Sequence, residues 1–228
     1  SLFGVVMIAS VTIPLTDGSL SMTLNHIVKL ILAIFIGLLI FRVSLSTWKK
    51  IDISLIIFSF FLLTLVFFPL IGFEANGASR WIRILGFSFQ PSELMKFSLI
   101  IYISSYCFRR MTEFKEKWLG FWKPVLVVIS AIALVLVEPD LGSSAVIFLI
   151  SLTIMFIAGA PLKQMLIIFF MGLSVFISMI LLVPWRMNRI LSFVDPWSNY
   201  GESGYQLSQA LIAFSRGDLF GVGLGESL

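Results

Sequence analysis

The sequence predicts an all-α polytopic membrane protein, and three observations carry this prediction. Hydrophobic residues make up 59% of the chain and charged residues only 12%, against about a quarter charged in ordinary soluble domains. The mean hydropathy is +1.05. The apolar residues form continuous runs, whereas the strands of a membrane barrel would alternate polar and apolar residues. Helices are therefore expected to span the membrane.

Seven apolar runs mark the expected transmembrane helices. They cover about residues 1–15, 26–43, 53–72, 93–108, 124–138, 141–159 and 164–184. The first and fifth runs are short for a span of roughly twenty residues. The chain opens within an apolar run that no basic segment precedes, so we expect a trimmed start and no cleavable signal peptide. The runs predict a single membrane domain, with seven transmembrane helices in 1–183 and the start of a large extracytoplasmic loop in 184–228.

The distribution of basic residues predicts the orientation in the membrane. One set of alternate connections holds nine Lys and Arg residues, and the opposite set holds five in much longer segments. The first set is therefore expected in the cytoplasm. The turn at Glu138, Pro139 and Asp140 and the region after Pro184 then face outside.

The net charge of +4 does not indicate nucleic acid, because the basic residues lie beside apolar runs and form no single patch. His26 is the only histidine, which excludes a histidine-rich metal site. Cys107 is the only cysteine, so the chain has no internal disulfide.

The stretch from Asn76 to Lys96 places charge between two apolar runs. Arg80 and Trp81 precede a Pro91-Ser92 break, and Glu93 and Lys96 lie just inside the following run. Ionisable groups at membrane depth are costly and are usually paired and functional. A purely structural interpretation is also open: Pro91 begins a helix, Ser92 and Glu93 satisfy its free amides and its dipole, and Lys96 reaches the interface.

Two further segments carry candidate chemistry on the predicted outer side. Asp140 lies at a tight turn between two apolar runs, where it either caps the following helix or belongs to a site. After Pro184, residues 205–214 predict a short amphipathic helix. Glycines at 217, 221, 223 and 225 indicate close approach or unusual backbone angles, and a compact loop folded on itself remains the alternative.

Outward-facing arginines above a membrane cavity suit a phosphate or diphosphate, because guanidinium groups bind such oxygens in pairs. Several carboxylates on the same side are candidates for a general base or for holding a divalent cation. No spacing singles one out among Asp140, Asp195, Glu202 and Asp218.

Five segments of the sequence form a set of motifs. They are Gly77-Ala78-Ser79-Arg80-Trp81-Ile82, Gln90-Pro91-Ser92-Glu93-Leu94-x-Lys96, Pro139-Asp140-Leu141-Gly142, Asp195-Pro196-Trp197 and Gly204-Tyr205-Gln206-Leu207 with the residues that follow it to Gly217. Together they resemble the SEDS family of cell-wall synthases. The last and longest segment is most similar to the family's division member. The rod-shape paralogue usually has His after Gly-Tyr, where this chain has Gln206, and a Gly-Ser-Gly-Gly turn where this chain has Ser215-Arg216-Gly217.

The resemblance implies a ten-helix fold with a large external loop after the seventh helix. It implies a peptidoglycan glycosyltransferase of the bacterial inner membrane that polymerises lipid II at the division septum. It also implies a class B penicillin-binding transpeptidase and other divisome membrane proteins as partners. A divalent cation, Mg²⁺ or Mn²⁺, is expected as a cofactor, although no ligand set is visible in the sequence.

The resemblance also implies which residues form the site. The family's favoured catalytic aspartate follows the Gly-rich turn, so we expect it beyond Leu228 and expect this chain to be inactive alone. Trp81 matches a tryptophan that the family needs, and Glu93 and Lys96 match the polar pair of its central cavity. Ser88 departs from relatives that carry a basic residue. The other matching positions, whose roles are less defined, are Arg80, Asp140, Arg189, Tyr205 and Gln206.

Three functions remain open from the sequence. The first is the lipid II glycosyltransferase, with Arg80 and Lys96 near the diphosphate. The second is a transporter that flips lipid II across the membrane, which intramembrane Glu93 and Lys96 also fit, although no inverted repeat is visible. The third is a non-catalytic scaffold that recruits the transpeptidase, and charge buried in a cavity argues against it.

Overall fold

The computed structural model describes residues 2–15, 20–68, 72–75, 78–84, 87–198, 200, 204–218 and 221–224. Helices dominate this part of the chain. They are α1 (Leu2–Leu15), α2 (Ser21–Phe41), α3 (Leu45–Leu65), α4 (Pro91–Arg109), α5 (Met111–Glu116), α6 (Trp118–Val137), α7 (Leu141–Ile157), α8 (Leu162–Leu181), α9 (Pro184–Val194) and α10 (Tyr205–Gly217). Three short strands lie between α3 and α4: β1 (Gly72–Ala75), β2 (Ala78–Ile84) and β3 (Phe87–Phe89).

Each predicted apolar run corresponds to one helix, so the all-α polytopic fold class is confirmed. Within the described residues, α2, α6 and α8 are long and apolar enough to cross a membrane. Leu2–Thr12 and α7 are shorter apolar helices, and α3 and α4 carry charged residues near their ends. The predicted start of the fifth run at Pro124 is wrong by six residues. The helix begins at Trp118, and Pro124 lies in its second turn.

Two features between and after these helices were not predicted. Strands β1, β2 and β3 form an antiparallel sheet of order β1-β2-β3. The sequence analysis predicted helices and no strands. The described region after α8 contains α9, which begins with Pro184 at its first turn. The predicted amphipathic helix at 205–214 is confirmed as α10, whereas the assignment of 184–228 to an external loop stays a prediction.

The chain divides into two compact units, Ser44–Ile177 and a second unit made of Ser1–Val43 and Ser178–Leu228. In the first unit α3, α4, α6 and α7 pack around one apolar core, whose fully buried members include Leu63, Met95 and Phe121. A buried contact of 2.6 Å between the hydroxyls of Ser59 and Ser98 joins α3 to α4. In the second unit α1 packs on α2, where the hydroxyls of Thr12 and Thr23 lie 3.2 Å apart.

Gly120 allows α5 to pack closely on the first turn of α6. A Cβ at this position would overlap the carbonyl oxygen of Glu113. The Tyr106 hydroxyl also donates a hydrogen bond of 2.8 Å to the Gly120 carbonyl, which ties α4 to the same point. The absence of a side chain therefore fixes the junction of these three helices.

Gly120→Ala is expected to lower the free energy of unfolding by about 1–3 kcal/mol, because the new methyl group meets backbone that cannot move aside. The measurement is detergent-titrated unfolding of the full-length protein. Gly37→Ala is the matched control, since a Cβ there meets nothing within 4 Å. Equal effects of the two substitutions would contradict the packing argument.

Candidate functional site

Strand β2 directs alternate side chains to opposite faces of the sheet. Ile82 is buried at 2% exposure, so its face is the one covered by the protein. Arg80 lies two residues earlier on that face. On the other face Trp81 pairs in register with Phe73, and the guanidinium of Arg83 lies 4.0 Å from the centre of the Phe73 ring. Arg80 and Trp81 therefore point in opposite directions.

Arg80 connects the sheet to the turn between α6 and α7. Its Nε donates a hydrogen bond of 3.0 Å to the carbonyl of Glu138, and its Nη2 donates one of 2.6 Å to the carbonyl of Pro139. We call Glu138, Pro139 and Asp140 the α6–α7 corner. Two of the five N–H groups of the guanidinium hold the corner, and three remain for other acceptors.

Asp140 is the N-cap of α7, so the capping alternative for this residue is the one that the structure shows. Its Oδ1 accepts a hydrogen bond of 2.9 Å from the Ser143 amide, and its Oδ2 accepts one of 2.8 Å from the Ser143 hydroxyl. The Oδ2 also accepts a hydrogen bond of 3.0 Å from Gln90, which immediately precedes α4. Asp140 thus joins the starts of α4 and α7.

Glu138 is the most unusual group of the corner, and the sequence analysis did not select it. The residue is 1% exposed, and neither carboxyl oxygen has a hydrogen-bond partner among the described residues. Burial, and secondarily the charge of Asp140, raises the pKa of Glu138 to about 8, against a smaller opposing effect of Arg80. The carboxyl is therefore largely protonated at neutral pH. In the sequence, Glu138 could have been noticed as an acid that directly follows an apolar run.

Glu93 and Lys96 form an ion pair within the first two turns of α4. The Lys96 Nζ donates a hydrogen bond of 2.7 Å to Glu93 Oε1. The Lys96 side chain is 18% exposed and the Glu93 side chain 59%. Pro91 begins the helix, as the structural interpretation expected. Ser92 is fully buried, and its hydroxyl has no partner within the described ranges, so that hydroxyl does not cap the helix.

The remaining predicted site residues belong to the other compact unit. Arg189 lies exposed on α9, and Tyr205 and Gln206 lie exposed at the start of α10. Of the other candidate acids, Asp195 accepts hydrogen bonds of 3.2 Å from the amides of Trp197 and Ser198. Asp218 is exposed after α10. Gly77, Glu202 and Gly225 lie outside the described residues.

The described side chains do not form a divalent-cation site. No group of three or more His, Cys, Asp or Glu residues is placed to hold a metal ion in this part of the chain. At the α6–α7 corner Asp140 is engaged with Ser143 and Gln90, and Glu138 is buried and largely protonated. Divalent cations prefer ionised, accessible oxygen ligands. The divalent cation expected from the resemblance stays a prediction.

A buried carboxylate lies near the other end of α4, and the sequence analysis missed it. Asp52 on α3 is 2% exposed and forms an ion pair of 2.6 Å with Arg109. The Arg109 Nη1 also donates hydrogen bonds of 2.7 Å to the Ser105 hydroxyl and 3.2 Å to the Lys49 carbonyl. In the sequence, this pair could have been noticed from Asp52, an acid that lies close to Lys49 and Lys50 at the edge of an apolar run.

Apolar helices packed around a core, with ion pairs near both ends of α4 and a buried carboxyl at the α6–α7 corner, define a polytopic α-helical membrane protein. The chain belongs to the FtsW/RodA/SpoVE family, whose family model, described as "Cell cycle protein", matches residues 1–228. The SEDS family prediction made from the motifs is confirmed.

Two curated relatives illustrate the similarity. A protein of Aliivibrio salmonicida named "Probable peptidoglycan glycosyltransferase FtsW" is 40% identical over 100% of this chain and 57% of its own length. A protein of the same name from Saccharophagus degradans is 45% identical over 84% of this chain and 50% of its own length. The names agree with the resemblance to the division member. The chain spans about half the length of the curated relatives that it matches.

Two solved structures share the fold. The crystal structure of the Thermus thermophilus rod shape determining protein RodA has a TM-score of 0.62 at 23% identity, covering 78% of this chain and 57% of that chain. A structure described as "Structural coordination of polymerization and crosslinking by a peptidoglycan synthase complex" has a TM-score of 0.70 at 25% identity. It covers 93% of this chain and 62% of that chain.

Proposed function

We propose that this chain is part of a peptidoglycan glycosyltransferase that polymerises lipid II into glycan strands during septal cell-wall synthesis. The names of the curated relatives support this activity. The single structural observation that carries the proposal is Lys96, a cation at 18% exposure that pairs with Glu93 two turns into an apolar helix. Such a charge is costly at membrane depth, and a lipid-linked anion is a ligand that would justify it.

The chemistry of the reaction fits the cations at this end of α4. The 4-hydroxyl of one disaccharide attacks the anomeric carbon of another, the bond to the lipid diphosphate breaks, and the hydroxyl proton passes to a base. Negative charge develops on the departing diphosphate, where Lys and Arg side chains stabilise the transition state. Lys96 and Arg80 take this role in the proposal. No base is assigned to Asp140 or Asp195, because their carboxylates already accept backbone hydrogen bonds.

The proposed function implies partner proteins and a location in the cell. We infer a class B penicillin-binding transpeptidase and other divisome membrane proteins as partners, in the bacterial inner membrane at the division septum. The likeness to a structure described as a peptidoglycan synthase complex supports a crosslinking partner. A divalent cation is proposed as cofactor on the resemblance alone. The large outward surface of apolar side chains on α2 and α8 is consistent with contact to lipid or to a partner helix.

The experiment that tests the proposed function is polymerisation of labelled lipid II in detergent by the full-length protein together with its transpeptidase. Detergent removes the two compartments, so a transporter has no signal in this assay. Glycan polymer above the level of a sample without the protein is the expected result. If an intact complex forms no polymer while a control synthase is active, the glycosyltransferase fails, and flipping of lipid II in vesicles becomes the function to test.

A further inference from the structure

At the α6–α7 corner, Arg80 contacts the backbone of Glu138 and not its buried carboxyl group. The guanidinium of Arg80 bonds the backbone carbonyls of Glu138 and Pro139, whereas the carboxyl of Glu138 accepts no hydrogen bond from any described residue. An ionised carboxylate in a buried position would take a nearby guanidinium as its partner, because an unpaired buried charge is very costly. The observed arrangement therefore belongs to a protonated Glu138.

A protonated Glu138 has a consequence for the charge of Arg80. The carbonyl oxygens that Arg80 contacts are neutral, and no acid among the described residues forms an ion pair with it. The guanidinium keeps three N–H groups beyond the two that hold the corner. An ionised Glu138 would compete for those groups and would neutralise the charge.

We propose that Glu138 is a positioning residue whose bound proton keeps Arg80 available to an anionic ligand, the diphosphate of the lipid-linked substrate. The inference rests on the proposed function for the identity of the ligand. The corner itself stands on the contacts and the burial of the two residues. Loss of the proton transfers Arg80 from the diphosphate to Glu138, so that ligand binding and proton binding are linked.

Among the described residues, few charged groups lie around Glu138. Arg80 reaches it from β2, and Asp140 lies beyond Pro139 in the corner. Helices α6 and α7 carry no ionisable residue between Pro124 and Ile157 other than the two acids of the corner. On the first two turns of α4, Glu93 and Lys96 pair with one another, and Arg83 on β2 lies over Phe73 on the other face of the sheet. Glu138 is therefore the group expected to titrate here near neutral pH.

The test is binding of undecaprenyl diphosphate to the full-length protein with its transpeptidase, measured between about pH 7 and pH 9. The pKa of about 8 leaves roughly a tenth of Glu138 protonated at about pH 9, so the apparent Kd is expected to rise about tenfold relative to about pH 7. Glu138→Gln cannot ionise and responds only to titration of the ligand. Glu116→Gln, at an exposed position on α5, is the matched control and should keep the wild-type pH dependence.

Three results would overturn the proposal. The first is a ratio of wild-type to Glu138→Gln affinity that does not change with pH. The second is a Glu116→Gln variant that loses its pH dependence as Glu138→Gln does. The third is a wild-type protein that does not bind undecaprenyl diphosphate. The assay needs no turnover, so failure of polymerisation and failure of the proton linkage are distinguishable. Arg80→Gln is expected to bind weakly at every pH.

A second measurement serves if Glu138→Gln does not fold. Infrared difference spectra of the wild-type protein should show a protonated carboxyl carbonyl band that disappears as the pH rises through about 8. The free energy of unfolding should depend on pH in the same direction. The pKa of Glu138 in the folded protein lies above its ordinary value of 4.5, so the stability contributed by its bound proton is complete below about pH 4.5 and is lost as the pH rises to about 8. The absence of a titrating band would overturn the proposal.

Discussion

Lys96→Ala is expected to reduce polymerisation by the full-length protein about 100-fold, the loss typical of removing one preorganised group that stabilises developing charge. The ammonium of Lys96 lies 2.7 Å from Glu93 Oε1, and the Lys96 side chain is only 18% exposed. Water therefore cannot easily replace the positive charge that the substitution removes. The measurement is the initial rate of glycan synthesis from labelled lipid II. The loss should appear mainly in kcat, because the charge on the diphosphate increases in the transition state.

Two variants give the Lys96 prediction its controls. Lys163→Ala removes an exposed lysine at the start of α8 and should leave the rate unchanged. Glu93→Gln removes the partner that is 59% exposed and should have a smaller effect than Lys96→Ala, because solvent screens that carboxylate. A rate for Lys96→Ala within twofold of the wild type would remove Lys96 from the proposed chemistry.

Arg109→Leu is expected to lower the free energy of unfolding by about 3 kcal/mol, because it leaves the carboxylate of Asp52 buried without its partner. The guanidinium is 39% exposed, so water compensates part of the loss, and the effect should lie at the lower end of the range for buried pairs. The measurement is unfolding of the full-length protein in mixed micelles at neutral pH.

The neighbouring arginine provides a matched control for this prediction. Arg110 pairs with Glu113 at 3.0 Å, but both side chains are partly exposed, and Arg110→Leu should change stability little. The double substitution Asp52→Leu with Arg109→Leu should recover much of the loss, since no buried charge remains. If the double variant is less stable than Arg109→Leu alone, the unpaired carboxylate of Asp52 is not the cause of the loss, and the prediction is wrong.

The sequence predicted the helices well, because a membrane span needs a long apolar run and such runs are visible without tertiary contacts. Charge at the start of α4 was visible for the same reason. The strands were not predictable in this way. Strand pairing between Phe73 and Trp81, or between Arg83 and Ser88, depends on contacts that the local sequence does not specify.

The candidate site was predicted only in part, because spacing does not reveal which polar atoms find partners. Asp140 stood out by its motif, yet the structure uses its carboxylate to cap α7 and to hold Gln90. Glu138, two residues earlier, is distinguished by its burial and by carboxyl oxygens that have no partner among the described residues, and neither property is visible in the sequence. Arg80 shows the same point, since its hydrogen bonds join residues 58 and 59 positions apart in the chain.

Photolabelling of the full-length protein tests most directly whether its site for a lipid-linked diphosphate includes β2 and the start of α4. The probe is a lipid II analogue with a photoreactive group beside the diphosphate, and labelled peptides are identified by mass spectrometry. The account predicts label in peptides containing Arg80 or Lys96, reduced by excess lipid II. Label confined to the basic segment from Arg109 to Lys123, at the opposite end of α4, would contradict it.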